Sequence, residues 1–314
     1  MALRTQCSGR LSRPGVAYIV LLLLCRSIAA PVGAQCIPVE LARIPVTMVG
    51  STPMVKVEIN GAAAFLIADS AASVSTLSRA IAGRLAVALS AEPSGYLRGI
   101  GGEATSQLAI ADHLTVANLS LEHVRFLVSA AMPSKASGML GQDILGRADT
   151  EYDLGHGLIR LVRPEGCGEG QAPDWYTGAS VSTIRMAHGQ PREPLATGVA
   201  NLDGHELRVL FDTGAPHSML TAAGARRAGI SVDSNWSQSS LLLTGVGKST
   251  SIGSLRYFET LKLGNEVRHH LRLYVTDIRV PQVDMVIGMD FFRSHRVYVA
   301  TRLGLLYFVP IEDH

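Results

Sequence analysis

The sequence predicts a mainly β protein built from two similar small lobes with short helices. Three observations predict it. Apolar runs are short, rich in β-branched residues, and broken by Gly, Pro, Asn-Gly and Asp-Gly steps, the texture of strands joined by tight hairpins. Helix-like periodicity is confined to brief stretches. The second half of the chain repeats the first, element for element, as a tandem duplication does.

The chain of 314 residues opens on Arg4, Arg10 and Arg13, then the apolar run Val16–Cys25, then small residues up to Ala34. A positive region, an apolar core and a small-x-small site form the layout of a secretory signal, with cleavage expected after Ala34. A membrane anchor is the other reading, but the run ends at Arg26, well short of the ~20 apolar residues that a spanning helix needs. Residues 1–34 are therefore expected to leave an exported chain, periplasmic or secreted, without a stable membrane span. Their removal takes away four arginines and no acid, so the formal charge moves from +2 to −2. No basic stripe remains, which argues against nucleic acid as a partner. Of the four cysteines, Cys36 and Cys167 remain. In an exported chain they read as a disulfide stapling the ends of the first half, or else as two separate thiols.

In the first half (35–162), Ile44–Ile67 offers short β runs broken by Gly50, Pro53 and Asn60-Gly61. Leu77–Leu89 is the one helix-like stretch. Residues 96–128 return to strand texture, Asp143 is placed to cap a short helix through Ile144-Leu145, and Tyr152–Val162 closes the half as a hairpin. Residues 163–180 are turn-rich and aperiodic, and read as a linker. The second half (181–314) repeats the plan, with strands Leu195–Asn201 and Glu206–Phe211, a helix over Ala222–Ala228 and a last hairpin over Arg296–Val309.

The repeat holds residue by residue. At an offset of 143, Asn60-Gly61 matches Asp203-Gly204, Asp69-Ser70 matches Asp212-Thr213, Ser75 and Leu77 match Ser218 and Leu220, and Ala80, Ala82 and Arg84 match Ala223, Ala225 and Arg227. At 146, Gly99-Ile100-Gly101 matches Gly245-Val246-Gly247; at 147, Met139–Asp143 matches Val286–Asp290. In each half an apolar strand ends abruptly at an acid and a hydroxyl: Leu66-Ile67-Ala68-Asp69-Ser70-Ala71 and Leu210-Phe211-Asp212-Thr213-Gly214. A carboxylate carried into a poorly hydrated place has a perturbed pKa and needs partners.

This ordered set resembles the retropepsin-like aspartic proteases, whose halves read Asp-(Thr/Ser)-Gly-Ala, a glycine-rich flap, then apolar-apolar-Gly-x-(Asp/Asn). The resemblance covers most of 44–162 and again 181–309. It implies two tandem retropepsin-like small β-barrel lobes related by a pseudo-twofold axis, with Asp69 and Asp212 as a catalytic dyad in one monomeric chain. It further implies that Ser70 and Thr213 fix the loops across the interface and that Gly214 presents its N–H to a carboxylate. Gly99, Gly101, Gly102, Gly245 and Gly247 read as flap tips over a peptide or, equally, as ordinary turns. The expected activity is endopeptidase cleavage of a peptide or protein substrate by an activated water, with no cofactor and no metal. Asp143 and Asp290 read as structural caps. One departure stands out: Ala71 occupies the place of the family's glycine. If that position needs a left-handed backbone, alanine strains the loop; a degenerate relative that binds peptides without cutting them is then the alternative.

Overall fold

The computed structural model describes residues 36–132, 137–166, 181–187, 195–230, 240–247 and 249–311; the expected signal, Cys167 and most of the linker lie outside them. Residues Gln35–His314 form one compact unit. The first half supplies β1 (Ile37–Val49), β2 (Thr52–Ile59), β3 (Ala62–Ala68), β4 (Thr76–Ser78), α1 (Arg79–Arg84), β5 (Ala88–Gly99), β6 (Gly102–Val116), β7 (Leu119–Ser129), β8 (Gly138–Leu140), α2 (Gln142–Leu145), β9 (Asp149–Asp153) and β10 (Leu158–Glu165). The second supplies β11 (Ser182–Arg185), β12 (Thr197–Leu202), β13 (His205–Phe211), β14 (Met219–Leu220), α3 (Ala222–Arg227), β15 (Ser240–Leu243), β16 (Ser251–Leu263), β17 (Glu266–Thr276), β18 (Met285–Ile287), α4 (Met289–Phe292), β19 (His295–Ala300) and β20 (Leu305–Pro310). The protein is mainly β, in two sheets and two tandem β lobes.

The duplication is written into the strand register. β3 runs parallel to β8 with Ile67 opposite Met139, and β13 runs parallel to β18 with Leu210 opposite Val286. β4 meets β7 at Thr76–Leu127, as β14 meets β17 at Met219–Tyr274. Both halves begin this unit with a tight hairpin: Asn60 and Gly61 at φ 48° and 80°, Asp203 and Gly204 at 47° and 86°. Asn and Asp tolerate that left-handed step and Gly has no Cβ to oppose it, so the strands fold back with the twist they already have. Alternation then buries Val55, Val57 and Ile59 on β2, and Ala64, Leu66 and Ala68 on β3.

Two expectations need correction. The helix-like stretch Leu77–Leu89 contains only the short α1, with Ser78 as its N-cap, accepting from the Ile81 N–H. It stops because Ala86 turns to φ +50°, after which the chain enters β5. The alanine-rich composition exaggerated its helical extent. Asp143 does not cap α2: the N-cap is Gly141, and Asp143 sits in the first turn. Gly288 and Asp290 repeat this arrangement on α4.

The terminal hairpins of the two halves pair with each other. β9 lies beside β19, with Tyr152 opposite Val297 and Glu151 opposite Tyr298, so β11, β19 and β20 continue the sheet that begins in the first half. Tyr152 packs edge-on to Phe292 with ring centroids 5.6 Å apart, and the Tyr298 hydroxyl donates to Asp149 Oδ2 at 3.0 Å. Buried Glu151 accepts from Arg160 Nη1 at 2.7 Å on its own half and from Arg296 Nε at 3.0 Å on the other. Among the described residues no helix is long and apolar enough to cross a membrane.

Glu151 thus holds guanidiniums from both halves. Glu151→Ala should lower stability in urea denaturation by about 2 kcal/mol, the scale of removing a buried carboxylate that two guanidiniums share, with a smaller loss for Glu151→Gln. Unchanged stability in both variants would show that the Glu151 ion pairs add nothing to the joining of the halves.

Candidate active site

β3 and β13 each deliver one acid. Parallel neighbours fix where each strand ends: the Asp69 N–H donates to Leu140 O at 3.0 Å and the Asp212 N–H to Ile287 O at 2.9 Å. Each carboxyl is then held by its own loop. Asp69 Oδ1 accepts from the Ala71 and Ala72 N–H groups at 2.9 and 3.0 Å, and Asp212 Oδ1 from Gly214 and Ala215 at 2.8 and 3.2 Å. A methyl built on Gly214 would lie 2.8 Å from Asp69 Oδ2 and 3.1 Å from Asp212 Oδ1. The two carboxyls therefore converge on the same point from opposite halves.

Between them the hydroxyls are exchanged. Thr213 Oγ1 accepts from the Ser70 N–H at 2.9 Å and donates to Ala68 O at 2.7 Å. Ser70 Oγ accepts from the Thr213 N–H at 2.9 Å and donates to Phe211 O at 2.8 Å. Both residues are buried, so each bond replaces water that could not reach the groups. A second pair of ties lies behind the loops. Asp143 Oδ1 accepts from Ser75 N–H and Oγ–H at 2.9 and 2.7 Å, while Ser75 Oγ accepts from the Gly141 N–H at 3.0 Å. Asp290, Ser218 and Gly288 repeat these contacts at 2.9, 2.7 and 3.0 Å. Asp143 and Asp290 brace the loops and stand apart from the converging carboxyls. Ser75 and Ser218 were visible as matched residues of the repeat; their role became clear only from the backbone that they bind.

Burial pushes the Asp69 carboxyl above the usual carboxylate range, against the pull of its two loop N–H groups. Asp212 is raised by burial and then by the Asp69 charge. Like charges facing each other resist ionising together, which is the direction in which Asp69 moves Asp212.

Above the carboxyls is a cavity of about 470 Å³. Its sides include Ile67, Met139, Leu210 and Val286, and its roof comprises Gly99, Ile100, Gly245 and Val246. The roof is made by the two Gly-x-Gly segments meeting. The Gly101 N–H donates to Val246 O at 2.9 Å, the Ser249 N–H to Gly101 O at 3.0 Å, and Gly101 bridges Gly247. A Cβ on Gly247 would come within 2.1 Å of the Gly101 backbone, and one on Gly99 within 2.8 Å of Val246. These glycines permit close backbone approach between the halves. Gly102, at φ +99° with open space around it, serves the turn instead.

Ala71 is not among the residues with positive φ, so the backbone there does not require glycine. Its methyl packs with the second-half cluster around Leu210, Ala215 and Met219.

The two halves each match a family model. Residues 55–147 match the family described as "gag-polyprotein putative aspartyl protease", and residues 199–291 the family described as "Aspartyl protease". No curated protein matches the chain.

A carboxyl held protonated by burial keeps its proton at pH values where the unfolded chain has released it. Raised carboxyls therefore lower folding stability progressively as pH climbs from about 4, the ordinary aspartate value, through the folded-state pKa. Asp212→Asn, which can still accept the loop N–H bonds, should melt about 2–6 °C above the parent at pH 8, with the gain vanishing near pH 4. A difference independent of pH would show that the pair does not titrate in this window.

Proposed function

Because the chain belongs to the retropepsin-like aspartic proteases and carries two tandem copies of their domain, we propose that it is an exported, monomeric aspartic endopeptidase in which Asp69 and Asp212 act as the dyad. The observation that carries this reading is the convergence of the two carboxyls beside Gly214, under a roof contributed by both halves. The ionised partner takes a proton from a bound water, whose oxygen attacks the scissile carbonyl. The protonated partner donates to the developing oxyanion and later supports departure of the amine. A peptide enters extended, between the carboxyls and the Gly-x-Gly segments, which part to admit it.

Export rests on the residue pattern of 1–34. A Cys36–Cys167 bridge fits the same compartment. Cys36 is buried and immediately precedes Ile37, which pairs with Glu165, two residues before Cys167 in the sequence. Ala71 is not among the residues with positive φ, so alanine carries no left-handed penalty there, which speaks against the degenerate alternative.

Purified protein without residues 1–34 should cleave peptides from a broad library between pH 3 and 7 and be inhibited by a hydroxyl-bearing peptide that mimics the tetrahedral intermediate. Asp212→Asn and Asp69→Asn should each cost at least ~10²–10⁴ in rate with the fold retained. Full activity in Asp69→Asn alongside a dead Asp212→Asn would mean that second halves pair between chains. A library left uncut at every pH, with peptides still bound, would leave a peptide-binding relative.

A further inference from the structure

The two halves are alike in what holds the carboxyls and unlike in the charges that they bring to the cavity. Among the described residues, three charged side chains besides Asp69 and Asp212 line it: Arg98, Glu103 and Arg279. Arg98 and Glu103 sit on the first Gly-x-Gly hairpin and satisfy each other, Arg98 Nε lying 2.7 Å from Glu103 Oε1. The matching positions of the second half are Thr244 and Ser249, so that pair has no charged counterpart. Arg279 belongs to the segment following β17, is exposed, and makes no ion pair among the described residues. Its counterpart after β7 is Met132, which packs in an apolar cluster with Leu97, Ala104 and Val246. The flanking Ile278 and Val280 pack into the second half, so the segment that carries Arg279 is anchored while its side chain stands in water.

The dyad alone gives an extended peptide no reason to prefer one direction, because its surroundings are nearly twofold symmetric. Arg279 breaks that symmetry with a cation on one side and a methionine on the other. Arg279 is exposed, whereas Asp69 is buried and Asp212 half-buried in the same cavity, so the guanidinium stands at its wet rim. A guanidinium fork matches a carboxylate in two parallel hydrogen bonds.

Resting on the protease reading above, we propose that Arg279 is a specificity-determining residue that selects peptides carrying an Asp or Glu on one flank of the scissile bond, and thereby fixes the direction in which the peptide lies. The residues at the bond itself face the apolar walls. The exposed position limits the preference: one such pair at a wet rim corresponds to about 3–5-fold in kcat/KM, enough to order substrates and to be weakened by salt.

The test is a peptide series with an apolar pair at the cleaved bond and a Glu or Gln scanned through the flanking positions. Glu should be favoured over Gln about 3–5-fold at a position on one side only, less so at high ionic strength. Arg279→Met, which installs the first-half residue, should erase the preference, and Arg279→Glu should shift it to Lys-bearing peptides at the same position. Equal cleavage of Glu and Gln peptides by the parent, or a Glu preference that survives Arg279→Met, overturns the proposal while leaving the protease reading standing. If the parent cuts nothing, the protease reading fails by itself. Binding of the same Glu and Gln peptides to the Asp212→Asn protein then decides about Arg279, since a preference in affinity needs no chemistry.

Discussion

Four hydrogen bonds between Ser70 and Thr213 and the strand ends beneath them hold this molecule in its working shape. Each hydroxyl accepts from the opposite loop's N–H and donates to a carbonyl of the opposite strand, Phe211 for Ser70 and Ala68 for Thr213. Two acids that would otherwise repel are thereby kept at one point at the base of the cavity. The groups so joined are backbone atoms at the ends of β3 and β13, so a shift of either half would have to break several bonds that water cannot replace. The loop N–H groups on Oδ1 of each acid, and the Ser75–Asp143 and Ser218–Asp290 ties behind, extend the same rigidity outward.

Around this centre the halves are copies where geometry matters and diverge where it does not. Strand register, hairpin conformation and loop ties coincide. The divergences are local: Gln142 donates to the Tyr152 hydroxyl at 3.1 Å where the other half has Met289, and Ala71 replaces the glycine seen at Gly214. The last two positions show why glycine can matter for different reasons. Neither has positive φ, so conformational freedom is not at stake. At Gly214 it is space, since a methyl would press on the Asp69 carboxyl. At Ala71 the methyl is present and is taken up by the apolar cluster of the second half.

Much of this was legible in the sequence because duplication turns weak motifs into strong ones. One Asp-Thr-Gly proves little, but Asp69-Ser70 and Asp212-Thr213 at a constant offset, each following an apolar run and preceding Gly-x-Gly and apolar-apolar-Gly-x-Asp, define an order of elements. The Asn60-Gly61 and Asp203-Gly204 turns were legible for a local reason, since few dipeptides accept two consecutive left-handed residues. What the sequence hid was long-range. Nothing local says that β9 and β19 pair across the halves, or that Arg296 reaches Glu151. The extent of α1 was misread because alanine favours helices on average, whereas a single residue at positive φ, Ala86, decides where this one ends. The asymmetry at Arg279 was equally silent, because its meaning depends on facing the cavity.

One chain supplying both acids of one proton-sharing site is the arrangement to be tested. Its most direct measurement is calorimetric titration of the protein, with sedimentation in parallel, by a tight-binding hydroxyl-bearing peptide mimic in two buffers of different ionisation enthalpy. The expected result is one ligand per monomeric chain, with proton uptake on binding that is lost in Asp69→Asn and in Asp212→Asn alike. One ligand per two chains, or binding without proton uptake in a range where the pair should titrate, would contradict it.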